Sequence, residues 1–209
     1  MDELNKIYND IKDRIDERLD VFKDIWENGS DEDVFLELVF CLLTPQSKAR
    51  NAELTISMLQ KDNLLYKGNE EEIAKVLNYV RFKNHKAEYI VRAREMFFKG
   101  ELDIRNKYKE LGSVKDLRKW LLNNIKGMGL KETSHYLRNI YIGRSLAILD
   151  RHILRNLKLY KVTEEIKNLN EKTYYSVEEK MNVFSKIIKI PMEYLDFILW
   201  YKETGDIYK

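Results

Sequence analysis

The residues best suited to chemistry lie in two short segments, Gly127-Met128-Gly129-Leu130-Lys131 and Asp150-Arg151-His152. A lysine amine is a nucleophile when it is neutral and can form a Schiff base with a sugar carbon. A carboxylate beside it can accept the amine's proton and offset positive charge developing on the carbon under attack. The two glycines flank one apolar residue between helical segments, and glycine lets backbone approach a ligand closely and take positive φ. Met128 is expected to plug into the core and fix the turn. The N–H groups opening the next helix then face outward, an anion site suited to a phosphate. Lys131 falls in the first turn of that helix, where the positive end of the helix dipole works against a protonated amine. Asp150 follows the apolar run Leu146-Ala147-Ile148-Leu149 and is placed to cap the helix it opens. Capping and a catalytic role are compatible.

The elements that must position these groups read as helices throughout. Apolar residues recur at spacings of three, four and seven along residues 1–27, from Leu4 through Ile11, Ile15, Leu19 and Phe22. Asn28-Gly29 ends that helix, and Ser30 with Asp33 opens another over Val34–Leu43, apolar nearly all round and therefore expected to be central. Thr44-Pro45 breaks it, and a helix from Ser47 to about Leu59 follows. Asn69 with Glu72 forms a capping box for Glu70–Val80. Further helices are expected over Lys86–Phe98, Val114–Asn124 (opened by Ser113 with Asp116), Leu130–Ile142 and Asp150–Tyr160. Ser176 with Glu179 is read as opening a helix to Lys189, and Pro191 starts the last one, Met192–Tyr201. The fold class is all-α, with ten or so helices and no alternating strand pattern, P-loop or dinucleotide-binding glycine pattern.

Composition agrees. The chain has 209 residues with 44% hydrophobic and 34% charged side chains, 8 Gly and 2 Pro, a globular balance with ample material for a core. A single cysteine, Cys41, excludes an intramolecular disulfide framework, a zinc finger and a cysteine-ligated iron–sulfur cluster. The longest apolar run, Leu38–Leu43, is far short of a bilayer span, and the acidic start lacks a signal peptide's pattern, so a cytoplasmic protein is expected. The net charge of +2 hides an asymmetry: residues 1–40 carry thirteen acidic and five basic side chains, residues 131–160 two acidic and six basic. The latter segment is a candidate footprint for a polyanion. Trp26, Trp120 and Cys41 read as packing. His85, His135 and His152 do not share metal-ligand spacing, and no metal site is expected.

Taken together, a helix-hairpin-helix with Gly-x-Gly-x-Lys and a downstream Asp-x-His resembles the helix-hairpin-helix DNA glycosylase superfamily. Leu42-Leu43-Thr44-Pro45-Gln46-Ser47 is similar to the loop whose Gln or Asn fills the gap left by an everted base. Arg81-Phe82-Lys83-Asn84-His85-Lys86-Ala87 is similar to the wedge loop that splits the stack. The chain lacks the four cysteines of endonuclease III relatives and the β domain of the eukaryotic-type 8-oxoguanine glycosylases. It most resembles the second, mainly archaeal type of 8-oxoguanine DNA glycosylase/AP lyase.

The resemblance implies a double-stranded DNA substrate containing 8-oxoguanine, Lys131 as Schiff-base nucleophile and Asp150 as its acidic partner. It implies Phe82 as wedge or stacking face, Gln46 in the vacated space, and Trp200 and the C-terminal Lys209 at the base pocket. Selection of 8-oxoguanine over guanine must rest on the extra N7 proton, met by the C-terminal carboxylate or a nearby main-chain oxygen. Gly127, Gly129, Arg151, His152 and Lys86 are the expected DNA contacts. Residues 30–146, with the hairpin at about 114–142, would form one helical lobe, and 1–29 with 147–209 the other, with a cleft between them. No cofactor is required, though a monovalent cation on hairpin carbonyls fits the family. A monomer, cytoplasmic and nucleoid-associated through DNA, is implied. Two alternatives remain, the same scaffold acting on oxidised pyrimidines and a non-catalytic DNA-binding module.

Overall fold

The structure, a computed structural model describing residues 2–208, is all-helical, with twelve α-helices and no strand among those residues. In chain order these are α1 (Asp2–Glu27), α2 (Asp31–Leu43), α3 (Ala49–Lys61), α4 (Leu64–Lys67), α5 (Glu70–Val76), α6 (Lys83–Phe98), α7 (Ile104–Leu111), α8 (Val114–Asn124), α9 (Leu130–Asn139), α10 (Arg151–Leu159), α11 (Glu171–Ile188) and α12 (Met192–Thr204), with a 3-10 turn at Leu77–Tyr79.

The helix starts follow side-chain capping. Ser30 accepts from the Asp33 N–H while the Asp33 carboxylate accepts from the Ser30 N–H, and Asn69 and Glu72 form the same reciprocal pair. Ser113 accepts from the Asp116 N–H at the start of α8. The expected start of α11 at Ser176 is corrected: Asn170 caps the helix by accepting from the Thr173 N–H, and Tyr174 and Val177 are already on its buried face. Ser176 is therefore inside a helix that had begun a turn earlier. Two helices escaped the sequence pattern, α4, a single turn, and α7, capped by Asp103 and ended by Gly112 at φ +72°.

Buried apolar side chains fall into two clusters. One contains Val34 to Leu146, centred on α2, whose Leu38, Val39, Phe40, Leu42 and Leu43 are at most 1% exposed. The other joins α1 to the segments after Ala147, including Ile153, Leu157, Met181 and Leu195. Helix α9 is the shared wall: Tyr136, Leu137 and its C-cap Ile140 belong to the first cluster, while Leu130 packs on the second. Arg138 of α9 is buried against the rings of Phe22 and Phe197, 5.3 and 4.4 Å away, and faces Asp196 of α12 at 3.8 Å. Arg118 of α8 makes a two-pronged pair with Glu178 of α11 at 2.7 and 2.8 Å. Glu178 also accepts from the Ala147 N–H, where the chain passes from one cluster to the other. No helix among the described residues is long and apolar enough to cross a membrane.

Candidate active site

The hairpin between α8 and α9 is fixed from below by Ile125 and Met128, both buried, with the Met128 N–H bonded to the Ile125 carbonyl at 3.3 Å. Its two glycines serve different purposes. Gly127 sits at φ +92°, and a Cβ there would lie 2.2 Å from the Tyr89 ring. Gly129 is the N-cap of α9 in extended backbone, not at positive φ, and a Cβ there would lie 2.9 Å from the Glu132 carboxylate. That carboxylate accepts the Gly129 N–H at 3.2 Å, so one donor of the expected anion site is satisfied from within.

Lys131 stands in the first turn of α9 with its side chain about a quarter exposed. Its ammonium faces Glu132 at 3.3 Å. Glu132 is a residue that reading for nucleophiles passes over. Its signal is positional, the third residue of a helix whose cap is glycine, where a carboxylate reaches back to the cap N–H.

Asp150 caps α10 as expected, and it does so with one oxygen: Oδ1 accepts both the His152 and the Ile153 N–H at 2.8 Å. Oδ2 is left out of the cap. The flanking Leu149 and Ile153 are buried in the cluster on which Leu130 packs, so α9 and α10 present Lys131 and Asp150 from a common apolar base. Asp196, buried on α12, registers both of them. Burial pushes its carboxyl up to about 6, Arg138 opposes the rise, and Asp150 and Lys131 act on it with opposite signs.

His152 lies beside Asp150, half-buried. Arg151 Nε donates to its Nε2 at 3.2 Å, which leaves the ring proton on Nδ1, 3.8 Å from Glu203. Burial holds this ring below the ordinary histidine value. Trp200 stands edge-on to it, with ring centroids 5.0 Å apart, half-buried and outside the apolar core. Trp200 thus stands with the Asp150 segment. Arg151 and Arg155 are exposed, Arg155 against Glu203.

The two loops further along this face have their singled-out residues at the tips. Gln46 and Phe82 are exposed, and both adopt left-handed backbone, at φ +53° and +59°. Lys86 departs from its expected place. It is 3% exposed, with its ammonium turned inward onto the Leu43 and Pro45 carbonyls and the Ser47 hydroxyl, so it is no surface phosphate contact. Lys209 lies outside the described residues. The tail before it crosses between the clusters: Ile207 is buried in the second, Tyr208 packs on the first and bonds Glu53 of α3, and Asp206 pairs with Arg50 at 2.7 Å. Two surface concavities, about 360 Å³ beside Arg144, Pro191 and Glu193 and about 220 Å³ beside Leu36, Glu53 and Ile56, are not lined by Lys131 or Asp150. Lys131 and Asp150 are each partly exposed. Among the described residues no group of three or more His, Cys, Asp or Glu is placed to hold a metal ion.

A helical scaffold with two apolar clusters, a helix-hairpin-helix turn carrying a lysine and an aspartate capping the next helix define a helix-hairpin-helix protein of the DNA glycosylase class. The sequence pattern of 8-oxoguanine DNA glycosylases matches residues 15–190. The 8-oxoguanine DNA glycosylase/AP lyase of Fusobacterium nucleatum is 50% identical over 99% of this chain and 96% of its own length. That of Methanocaldococcus jannaschii is 37% identical over 96% of this chain and 94% of its own. The crystal structure of the M. jannaschii enzyme with a 15mer DNA containing 8-oxoguanine superposes with a TM-score of 0.88 at 33% identity, covering all of this chain and 98% of that one. The 8-oxoguanine DNA glycosylase of Thermotoga maritima superposes with a TM-score of 0.87 at 33% identity, covering all of this chain and 97% of that one. The chain belongs to the 8-oxoguanine DNA glycosylase family.

Proposed function

We infer that the protein is an 8-oxoguanine DNA glycosylase with AP lyase activity, with Lys131 as nucleophile and Asp150 as its acidic partner. The observation that carries the residue assignment is the placement of a partly exposed lysine at the hairpin and a carboxylate with one uncommitted oxygen on adjoining helix starts, over one apolar base.

A base inside a duplex is inaccessible, so it is first rotated out, at a cost of a few kcal/mol. Phe82 enters the stack and Gln46 occupies the vacated space. Arg151 and the N–H groups opening α9 hold phosphates, a contribution that weakens steeply with salt. The everted base reaches Trp200, which stands beside the Asp150 segment. Lys131 then attacks C1′ as the glycosidic bond breaks and the base leaves with the bonding pair. Asp150 takes the amine's proton and offsets positive charge on the sugar. The C1′–O4′ bond then breaks, O4′ taking a proton as the sugar ring opens, to give the Schiff base; this acidifies the C2′ proton, and its loss expels the 3′ phosphate, nicking the strand. No cofactor enters these steps. A monovalent cation on the hairpin carbonyls would add positive charge beside the bound phosphate. The protein works as a monomer on DNA, cytoplasmic and nucleoid-associated.

Asp150→Asn separates the two duties of this residue. Asparagine caps helices as well as aspartate, so the melting temperature is expected to stay within about 2 °C. Single-turnover excision from an 8-oxoguanine duplex is expected to fall by about 10²- to 10⁴-fold, the range of a general acid–base group. Unchanged excision would reduce Asp150 to a cap. Wild-type cleavage only of oxidised pyrimidines would move the substrate assignment.

A further inference from the structure

Lys86 is a buried cation with no carboxylate bonded to it. Its Nζ donates to the Leu43 carbonyl at 2.6 Å, the Pro45 carbonyl at 2.8 Å and the Ser47 hydroxyl at 3.0 Å. An ammonium has three N–H donors, so all three are used. Leu43 is the last residue of α2, whose terminal carbonyls lack intrahelical partners and carry the negative end of the helix dipole. Burying a charge is costly, and a core position meant only for packing would carry an apolar side chain. Desolvation and the neighbouring charge of Lys131 draw this amine down to about 8.

The same three contacts reach the second loop. Ser47 Oγ, which accepts from Lys86, also accepts the Arg81 N–H at 2.9 Å. The Lys86 N–H closes the first turn of α6 onto the Phe82 carbonyl at 3.0 Å, and Asn51 Nδ2 donates to the Tyr79 carbonyl at 2.8 Å. Residues 43–47 and 79–86 are thus fastened to each other just beneath their tips. At those tips Gln46 and Phe82 are non-glycine residues in left-handed backbone, a conformation that persists only where the surroundings impose it.

We propose that Lys86, acting through Ser47, is a positioning residue that clasps the Gln46 and Phe82 loops at a fixed separation and so sets the geometry with which the duplex is opened. This rests on the enzyme reading above, in which those tips enter the DNA. The clasp touches neither sugar nor base, so it bears on extrusion and not on bond breaking.

The test compares two substrates with wild type, Lys86→Met and Ser47→Ala. The first is a duplex with one 8-oxoguanine, which must be opened. The second is a single-stranded oligonucleotide with a preformed abasic site, which needs only the lyase step. Lys86→Met keeps length and apolar volume and removes all three hydrogen bonds; Ser47→Ala removes only the shared hydroxyl and leaves the fold intact. Both variants are expected to lose duplex excision, Lys86→Met by about ten- to a hundredfold, with smaller loss for Ser47→Ala. Both should nick the abasic strand within about twofold of wild type. A 2-aminopurine beside the lesion should brighten less on binding either variant. Equal losses on both substrates, or undiminished duplex excision by Ser47→Ala and a folded Lys86→Met, would overturn the clasp while leaving the enzyme reading in place. A wild type that cuts neither substrate would remove both.

Discussion

Lys131→Gln is expected to abolish the covalent adduct formed with 8-oxoguanine DNA under borohydride and to reduce strand nicking by on the order of 10³-fold or more, the scale of removing a nucleophile. Glutamine keeps the length and helix propensity of lysine but has no amine to form an imine. The fold should not suffer. Among the described residues, the ion pair lost is that with Glu132 at 3.3 Å, partly exposed, and such pairs contribute under about 1 kcal/mol. Affinity for the duplex should stay within a few-fold, because the phosphate contacts proposed for Arg151 and the hairpin N–H groups do not involve this amine. Circular dichroism melting, filter binding and a denaturing gel of trapped complexes read the three quantities separately. A Lys131→Gln protein that still nicks 8-oxoguanine strands at the wild-type rate would make the scaffold's chemistry independent of this amine.

The second large effect concerns the join between the two apolar clusters. Arg118→Ala is expected to destabilise the protein by about 3–5 kcal/mol, the cost of leaving one member of a buried pair without its partner. Arg118 and Glu178 have side chains only 2% and 8% exposed. Glu178 would keep the Ala147 N–H and lose both guanidinium bonds, and Tyr175 would lose the guanidinium stacked 5.0 Å from its ring. Replacing both partners together, as Arg118→Met with Glu178→Leu, should cost much less, because no buried charge is then stranded. Urea unfolding of the single and double variants distinguishes the two cases. A single variant within about 1 kcal/mol of wild type would mean that water reaches this pair.

Much of the scaffold was legible because helices advertise themselves locally. The boxes at Ser30–Asp33 and Asn69–Glu72 and the cap at Ser113 set helix starts that the structure reproduces to within a few residues. The error at α11 has the same origin: Ser176 with Glu179 mimics a start, but Asn170 provides an earlier cap and Tyr174 and Val177 are already packed. The placement of Lys131 in the first turn after the hairpin and of Asp150 at the cap of α10 was legible because each belongs to a short local motif. Lys86 was misread for the opposite reason. Its three partners lie about forty positions upstream, at the end of α2, and nothing within a helical turn of Lys86 announces them. Trp200 could be core or site from its apolar surroundings alone; it packs edge-on against His152 of α10, outside both apolar clusters.

One amine, Lys131, is expected to attack the sugar. The most direct measurement reduces the complex of wild-type protein and 8-oxoguanine duplex with borohydride, digests it, and locates the DNA remnant by peptide mass. A single modified peptide with the remnant on Lys131 is expected. A remnant on the N-terminal amine, on Lys86 or on any other lysine would contradict it.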